Sequence, residues 1–178
     1  SHDDRLRYAV TPRFTPTCSE ACLRGAREVA DDYDGVRIHT HASEHESVVD
    51  DITDERGMGD IEWLHEAGLT GEDVVLAHVI LTSEREREVL AETGTHVTHC
   101  PSSNMKLASG IAPVVDYIDR GINVALGNDG PPCNNTLDPF TEMRQGSLLQ
   151  KVDHLDPVAA PAETLFEMAT INGAKAAG

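Results

Sequence analysis

Apolar residues along this chain fall into short β-type runs separated by stretches with helical spacing. The runs Leu6–Val10, Val36–Ala42, Val74–Val79, His96–Cys100 and Val124–Leu126 are rich in β-branched and other apolar residues. Each is too short for a helix, so the pattern predicts strands. Between them, Leu23, Ala26 and Ala30 recur at helical spacing behind Ser19, whose hydroxyl can cap a helix start. Ile61 and Leu64 share one helical face ahead of Gly68. Ser83 and Glu86 fit a capping box before Val89 and Leu90, with Gly94 as the stop, and Val114, Val115 and Ile118 precede Gly121. These positions follow the usual start and stop chemistry of helices.

The order is β-α about five times, then two further helical segments, Leu137–Lys151 and Ala162–Met168, with another helix starting near Asn172. Such alternation predicts a parallel sheet with helices outside it. A closed eight-stranded barrel takes roughly 250 residues, and this chain has 178. The pattern therefore fits a small open sheet or part of a barrel. No repeat, low-complexity segment or linker divides the chain. It opens in a strand and ends as a helix begins, so both ends read as cut.

Charge narrows the partners. The formal net charge is −17, with acids dispersed as in Asp31, Asp32 and Asp34 or Asp50, Asp51 and Asp54, and lysine occurs only at 106, 151 and 175. Such a surface repels phosphate backbones and anionic lipid, which argues against nucleic-acid or membrane binding. No apolar run is long enough to span a bilayer and no leader is recognised, so a soluble, cytoplasmic protein is expected. The acidic, lysine-poor surface fits a salt-loving source or an ordinary acidic protein. Cys18, Cys22, Cys100 and Cys133 form no Cys-x-x-Cys pair, so free thiols are expected.

Candidate chemistry lies where parallel β/α folds place it, at the carboxyl ends of strands. The first strand runs into Thr11-Pro12-Arg13-Phe14. The second carries His39-Thr40-His41-Ala42-Ser43-Glu44, and the third ends Ala77-His78. The fourth carries His96 and His99 before Pro101-Ser102-Ser103-Asn104, and the fifth ends Gly127-Asn128-Asp129-Gly130. A histidine in an apolar strand is costly unless its nitrogens are paired or ligated. One alone is usually a hydrogen-bonded core residue. Several, with an aspartate, at one end of a sheet suit Zn²⁺ or Fe²⁺ completed by water. A metal so held makes hydroxide available near neutral pH. His39 and His41 point to one side of their strand with Thr40 opposite. His41, nearer the carboxyl end, is the better ligand. Glu44 lies just beyond, where its carboxylate can move protons.

Taken together, His41-Ala42-Ser43-Glu44, Ala77-His78, His99-Cys100-Pro101-Ser102-Ser103-Asn104 with Lys106-Leu107, and Leu126-Gly127-Asn128-Asp129-Gly130 closely resemble the amidohydrolase superfamily. The branch is that of S-adenosylhomocysteine/methylthioadenosine deaminases, guanine deaminases and s-triazine chlorohydrolases. The likeness runs along essentially the whole chain. It implies a partial (β/α)₈ TIM-type barrel, with residues 1–178 corresponding to barrel strands four to eight.

It also implies one divalent metal, Zn²⁺ or alternatively Fe²⁺. By resemblance His41 and Asp129 are metal ligands, Asp129 also takes a proton from the attacking water, and His78 contacts that water, the metal or the substrate. Glu44 protonates the ring nitrogen. The implied reaction is hydrolytic deamination of a purine-like small molecule, with triazine dechlorination or deamination as the alternative. Arg13, in a segment like that of guanine deaminases, is a candidate base contact or a surface ion-pair residue. His99 and Asn104 are candidate substrate contacts or loop-orienting residues. Ser109–Pro113 and Asn134-Asn135 resemble the adenosine-type enzymes.

One departure follows. The family has a His-x-His pair on its first barrel strand, and these residues contain no counterpart, since His39/His41 belong to strand five. The expectation is a fragment with half a metal site, inactive alone. Its inner sheet face should be exposed and apolar, which points to a homo-oligomer or a proteolytic remnant.

Overall fold

Five parallel strands follow one another across a single sheet in chain order, each joined to the next by helices on one side. The computed structural model describes residues 6–178. The strands are β1 (Ala9–Val10), β2 (Arg37–Ala42), β3 (Val74–His78), β4 (His96–His99) and β5 (Val124–Leu126). The helices are α1 (Glu20–Asp31), α2 (Glu46–Arg56), α3 (Asp60–Glu66), α4 (Glu84–Thr93), α5 (Pro101–Lys106), α6 (Val114–Asp119), α7 (Pro131–Asn134), α8 (Pro139–His154), α9 (Ala162–Ala169) and α10 (Ile171–Ala177). A 3₁₀ turn spans Thr15–Thr17.

The expected strands are all present, with trimmed ends. β1 keeps only Ala9 and Val10 of the predicted Leu6–Val10, because pairing with Arg37 and Ile38 begins there. Val36, Val79 and Cys100 fall outside the ladder; at Val79 a left-handed backbone ends the strand. The segment predicted as Leu137–Lys151 becomes α8, which starts at Pro139 behind the Asp138 cap and runs on to His154. Between β2 and β3 the pattern indicated one helix and there are two. α2 was missed because a single residue in it, Ile52, is buried, so it has almost no apolar stripe to read. The capping expectations hold. Ser19 Oγ accepts from the Cys22 amide, Ser83 Oγ from the Glu86 amide, and Gly94 ends α4 in the left-handed region at φ 70°.

Register sorts the two faces of the sheet. Ile38, Thr40, Ala42, Val74, Leu76, Val97 and Val124 turn to the helices and are buried. They meet Leu23, Ile61, Leu64, Leu90, Tyr117 and Leu165 from the helix layer. Full burial of one such aliphatic side chain contributes about 1.5–3 kcal/mol. The opposite face carries His39, His41, Val75 and Thr98. It lines an open hollow of about 410 Å³ with Tyr8, Ala125, Leu126 and Ala176 among its walls.

The walls of that hollow are mainly apolar and open, as expected of an inner sheet face. Large exposed apolar side chains lie beside the hollow, as at Tyr8 (69%), and also on the C-terminal segments, with Phe140 73%, Phe166 58% and Leu155 89% exposed. All four cysteines are free. Among the described residues, no helix is long and apolar enough to cross a membrane.

Candidate active site

The carboxyl ends of β2, β3 and β5 share an unusual backbone. Ser43 (φ 48°), His78 (φ 71°), Val79 (φ 48°) and Asp129 (φ 60°) all occupy the left-handed region without being glycine. Each such residue costs about 1–3 kcal/mol and persists only where its surroundings over-determine it. For Val79, a β-branched residue, the conformation is particularly unfavourable. It is held by its amide donating to the Ala42 carbonyl at 3.0 Å, and by the next amide, Ile80, donating to the Ser43 carbonyl at 3.0 Å.

This backbone decides which side chains meet. His78 is paired in register with Ala42. Strict alternation would send its ring to the helix side, away from His41. The left-handed turn at His78 breaks that alternation, and its ring stacks on His41 with centroids 5.3 Å apart and planes 20° from parallel. His39 stacks beneath His41 at 6.3 Å.

Both imidazoles are oriented through one nitrogen. Nδ1 of His41 lies 2.7 Å from the Arg13 carbonyl oxygen, an acceptor, so Nδ1 carries the proton. Nδ1 of His78 lies 2.9 Å from Oδ1 of the buried Asn104. In each ring this leaves Nε2 as the nitrogen available to a metal, the arrangement in which a metal-binding histidine is usually held. Glu44 reaches the same place, its Oε2 3.7 Å from His78 Nε2. Asp129 sits at the same end of the sheet. Its Oδ2 accepts from Ser103 Oγ at 2.6 Å and its Oδ1 from the Gly130 amide at 2.6 Å. Burial works to raise its pKa, but the Ser103 and Gly130 hydrogen bonds outweigh that and hold the carboxyl below its ordinary range.

Two imidazoles and an ionised carboxylate, each fixed by an outer partner, are the right donor chemistry for a divalent ion. The set does not close by itself. Among the described residues no group of three or more His, Cys, Asp or Glu side chains is arranged to hold a metal ion. His41 and His78 are brought together, and Asp129 is not brought into a shared coordination distance with both.

The remaining sequence candidates divide. Arg13 acts through its backbone, since its carbonyl accepts from the His41 amide, His41 Nδ1 and Thr40 Oγ1. Its guanidinium is exposed and lies over the Phe14 ring at 5.4 Å. Asn104 is fully buried and meets the site through His78. His99 is fully buried on the helix side of the sheet, in register with Leu126, and both its ring nitrogens lack partners. A methyl group added at Gly146 of α8 would meet its ring at 3.7 Å. His99 is therefore placed under α8, outside the His41–His78 stack but near His78.

Burial, reinforced by the charge of His78, pushes the His99 pKa down from 6.5 to about 4. The folded state thus holds His99 neutral, while the unfolded chain protonates near pH 6.5. The consequence is stability present above that value and lost as pH falls from 6.5 toward 4. The loss should approach about 1.4 kcal/mol per pH unit from this group. Urea titrations across that range should show it. His99→Phe should have a flatter profile, and an unchanged slope would remove His99 as the cause.

Two groups were given no role from sequence. Glu142 of α8 is fully buried; its Oε2 accepts from the Ser102 amide at 3.1 Å and its Oε1 from Asn134 Nδ2 at 2.8 Å. It thereby ties the loop after β4 to the loop after β5 that carries Asp129. Asn134 Nδ2 also donates to the Asn128 carbonyl, so its amide is engaged inside the loop. Asp60 is the second group, buried beside Ser43. A lone acid at a helix start reads as a solvated cap, and no local pattern signals otherwise.

These features match known proteins along the chain. A 5'-deoxyadenosine deaminase of Methanothermobacter thermautotrophicus is 48% identical over 176 residues, covering 99% of this chain and 41% of that protein. An adenosine deaminase from Xanthomonas campestris, solved with bound zinc, superposes with TM-score 0.90 at 34% identity, covering 94% of this chain and 38% of the other. A guanine deaminase from C. acetobutylicum, solved with guanine in its active site, gives TM-score 0.88 at 27% identity, covering 94% and 41%. The chain spans about two fifths of the length of these proteins. The sequence profile of the amidohydrolase family matches residues 1–178, so the parallel sheet with its strand-end histidines and acids belongs to the amidohydrolase family.

Proposed function

We propose that the protein carrying this chain hydrolytically deaminates a purine ring, with an adenosine-like nucleoside as the preferred class. The observation that carries the reading is the His41–His78 stack with Glu44 beside it, at the end of the sheet where Asp129 also sits. The high identity to an enzyme named for 5'-deoxyadenosine supports the adenosine-like choice.

His41, His78 and Asp129 would contribute to holding one divalent metal, Zn²⁺ first. Such an ion supplies water of lowered pKa near neutrality. The chain's own residues do the rest. The Arg13 carbonyl and Asn104 keep the two imidazoles in one tautomer and orientation. The Ser103 hydroxyl and the Gly130 amide hold the Asp129 carboxylate ionised, ready to accept the proton of the attacking water. Glu44 donates a proton to the ring nitrogen next to the carbon under attack, which lets that carbon become tetrahedral. The carbon–nitrogen bond then breaks as the exocyclic amine takes the proton held by Asp129 and leaves as ammonia, the added hydroxyl gives its proton to Glu44, and a ring carbonyl remains with both acids restored.

The test is ammonia release by the full-length, zinc-loaded protein with 5'-deoxyadenosine, adenosine and guanine as separate substrates. The expected result is turnover of the adenosine-type compounds well above that of guanine. Guanine as the best substrate would overturn the class preference, and no ammonia from any purine would overturn the function.

A further inference from the structure

We propose that Asp60 is a positioning residue for this chemistry, clamping the loops after β1 and β2 so that Glu44 and the Arg13 carbonyl face the His41–His78 pair. The inference rests on the deamination reading given above. Asp60 begins α3, in the helix layer, and is only 1% exposed. Its Oδ2 accepts from the Ser43 amide at 2.7 Å and its Oδ1 from Thr15 Oγ1 at 2.7 Å. Both partners are distant in sequence and belong to different loops.

Each bond bears on a site residue. Ser43 is in the left-handed region at φ 48° and directly precedes Glu44. Its carbonyl accepts from the Ile80 and Leu81 amides, both at 3.0 Å. With Asp60 on its amide, Ser43 is gripped on both sides, and the direction in which the chain presents Glu44 is set. Thr15 lies two residues past Arg13, whose carbonyl fixes His41 Nδ1 at 2.7 Å. One carboxylate therefore holds the acid-base residue and, through the neighbouring loop, the imidazole's acceptor.

A purely architectural origin accounts poorly for Asp60. Burying a carboxylate is costly unless it is paired or well hydrogen-bonded. Among the described residues no cation pairs with Asp60, and buried Glu86 lies close enough to repel it. A helix start could be capped locally by serine or threonine. Asp60 instead reaches away from its own helix to both loops.

The experiment is a double-mutant cycle in the full-length, zinc-loaded enzyme, with Asp60→Ala and Glu44→Gln made singly and together. Asp60→Ala alone should lower kcat about 10–100-fold, the usual scale for an outer-sphere support, with KM little changed and zinc content intact. In the Glu44→Gln background it should cost clearly less, because one of the two groups it positions is already gone. Asp60→Asn, which keeps the shape but cannot accept both bonds as the carboxylate does, should fall between. Undiminished kcat in Asp60→Ala, or an equal loss in both backgrounds, overturns the proposal.

Thr15→Val removes a single bond to Asp60 and is the variant to read if the Asp60 variants do not fold. It should lose kcat in the same direction, and full activity overturns the proposal. Amide exchange at Ser43 in the full-length protein gives a readout independent of turnover. It should accelerate in Asp60→Ala, or in Thr15→Val to a lesser degree. Should the parent enzyme deaminate no purine, the functional reading fails on that result alone, while Ser43 protection surviving in Asp60→Ala sinks the clamp.

Discussion

On the deaminase proposal, Glu44→Gln in the full-length protein is expected to lower ammonia release by about 10²–10⁴-fold while zinc stays bound. That range is the usual cost of losing a positioned acid-base group. The carboxyl stands 3.7 Å from His78 Nε2, close to the two oriented imidazoles yet held by its own loop. Glutamine preserves the shape and a hydrogen-bonding oxygen but can neither give nor receive the proton. Protonation of the ring nitrogen is the step that should suffer. Metal analysis beside a deamination assay decides the matter. Full activity in Glu44→Gln, or metal loss as severe as in a ligand variant, would refute the assignment.

Asp129→Asn should differ in kind, losing both metal and activity, the latter by at least about 10²-fold. Asp129 is fixed by Ser103 and Gly130 in its ionised form. The amide has no negative charge for a cation and no basic oxygen for the water proton. Excess zinc in the assay should restore little, because the proton acceptor is also gone. An Asp129→Asn enzyme that keeps its zinc would remove the ligand role. One that keeps its turnover would remove both roles.

The two variants together separate metal holding from proton movement. Asp60 belongs to neither group and is expected to affect turnover without touching zinc. That ordering follows from where each carboxyl lies: one at the end of β5, one in the loop after β2, one outside the sheet in α3. The acid response predicted for His99 is separate again, because it concerns folding stability and not the reaction.

Much of this was legible in the chain itself. Five short apolar runs alternating with capped helical stretches determine a parallel β/α sheet, because strand and helix periods and cap residues are local properties. The strand-end positions of His41, Glu44, His78 and Asp129 could be read for the same reason, since chemistry in such folds sits at carboxyl ends. Tertiary structure decided what those residues do to each other. By alternation His78 belongs on the helix side; a left-handed backbone, stabilised by hydrogen bonds to Ala42 and Ser43, turns it onto His41. His99, which looked equivalent in the sequence, ends fully buried beneath α8 because the register pairs it with Leu126. At Arg13 it is the backbone carbonyl that meets His41, while the guanidinium stays exposed. The role of Asp60 was invisible in the sequence because both of its partners are remote along the chain, and only the fold brings a helix-layer carboxylate against two loops of the site.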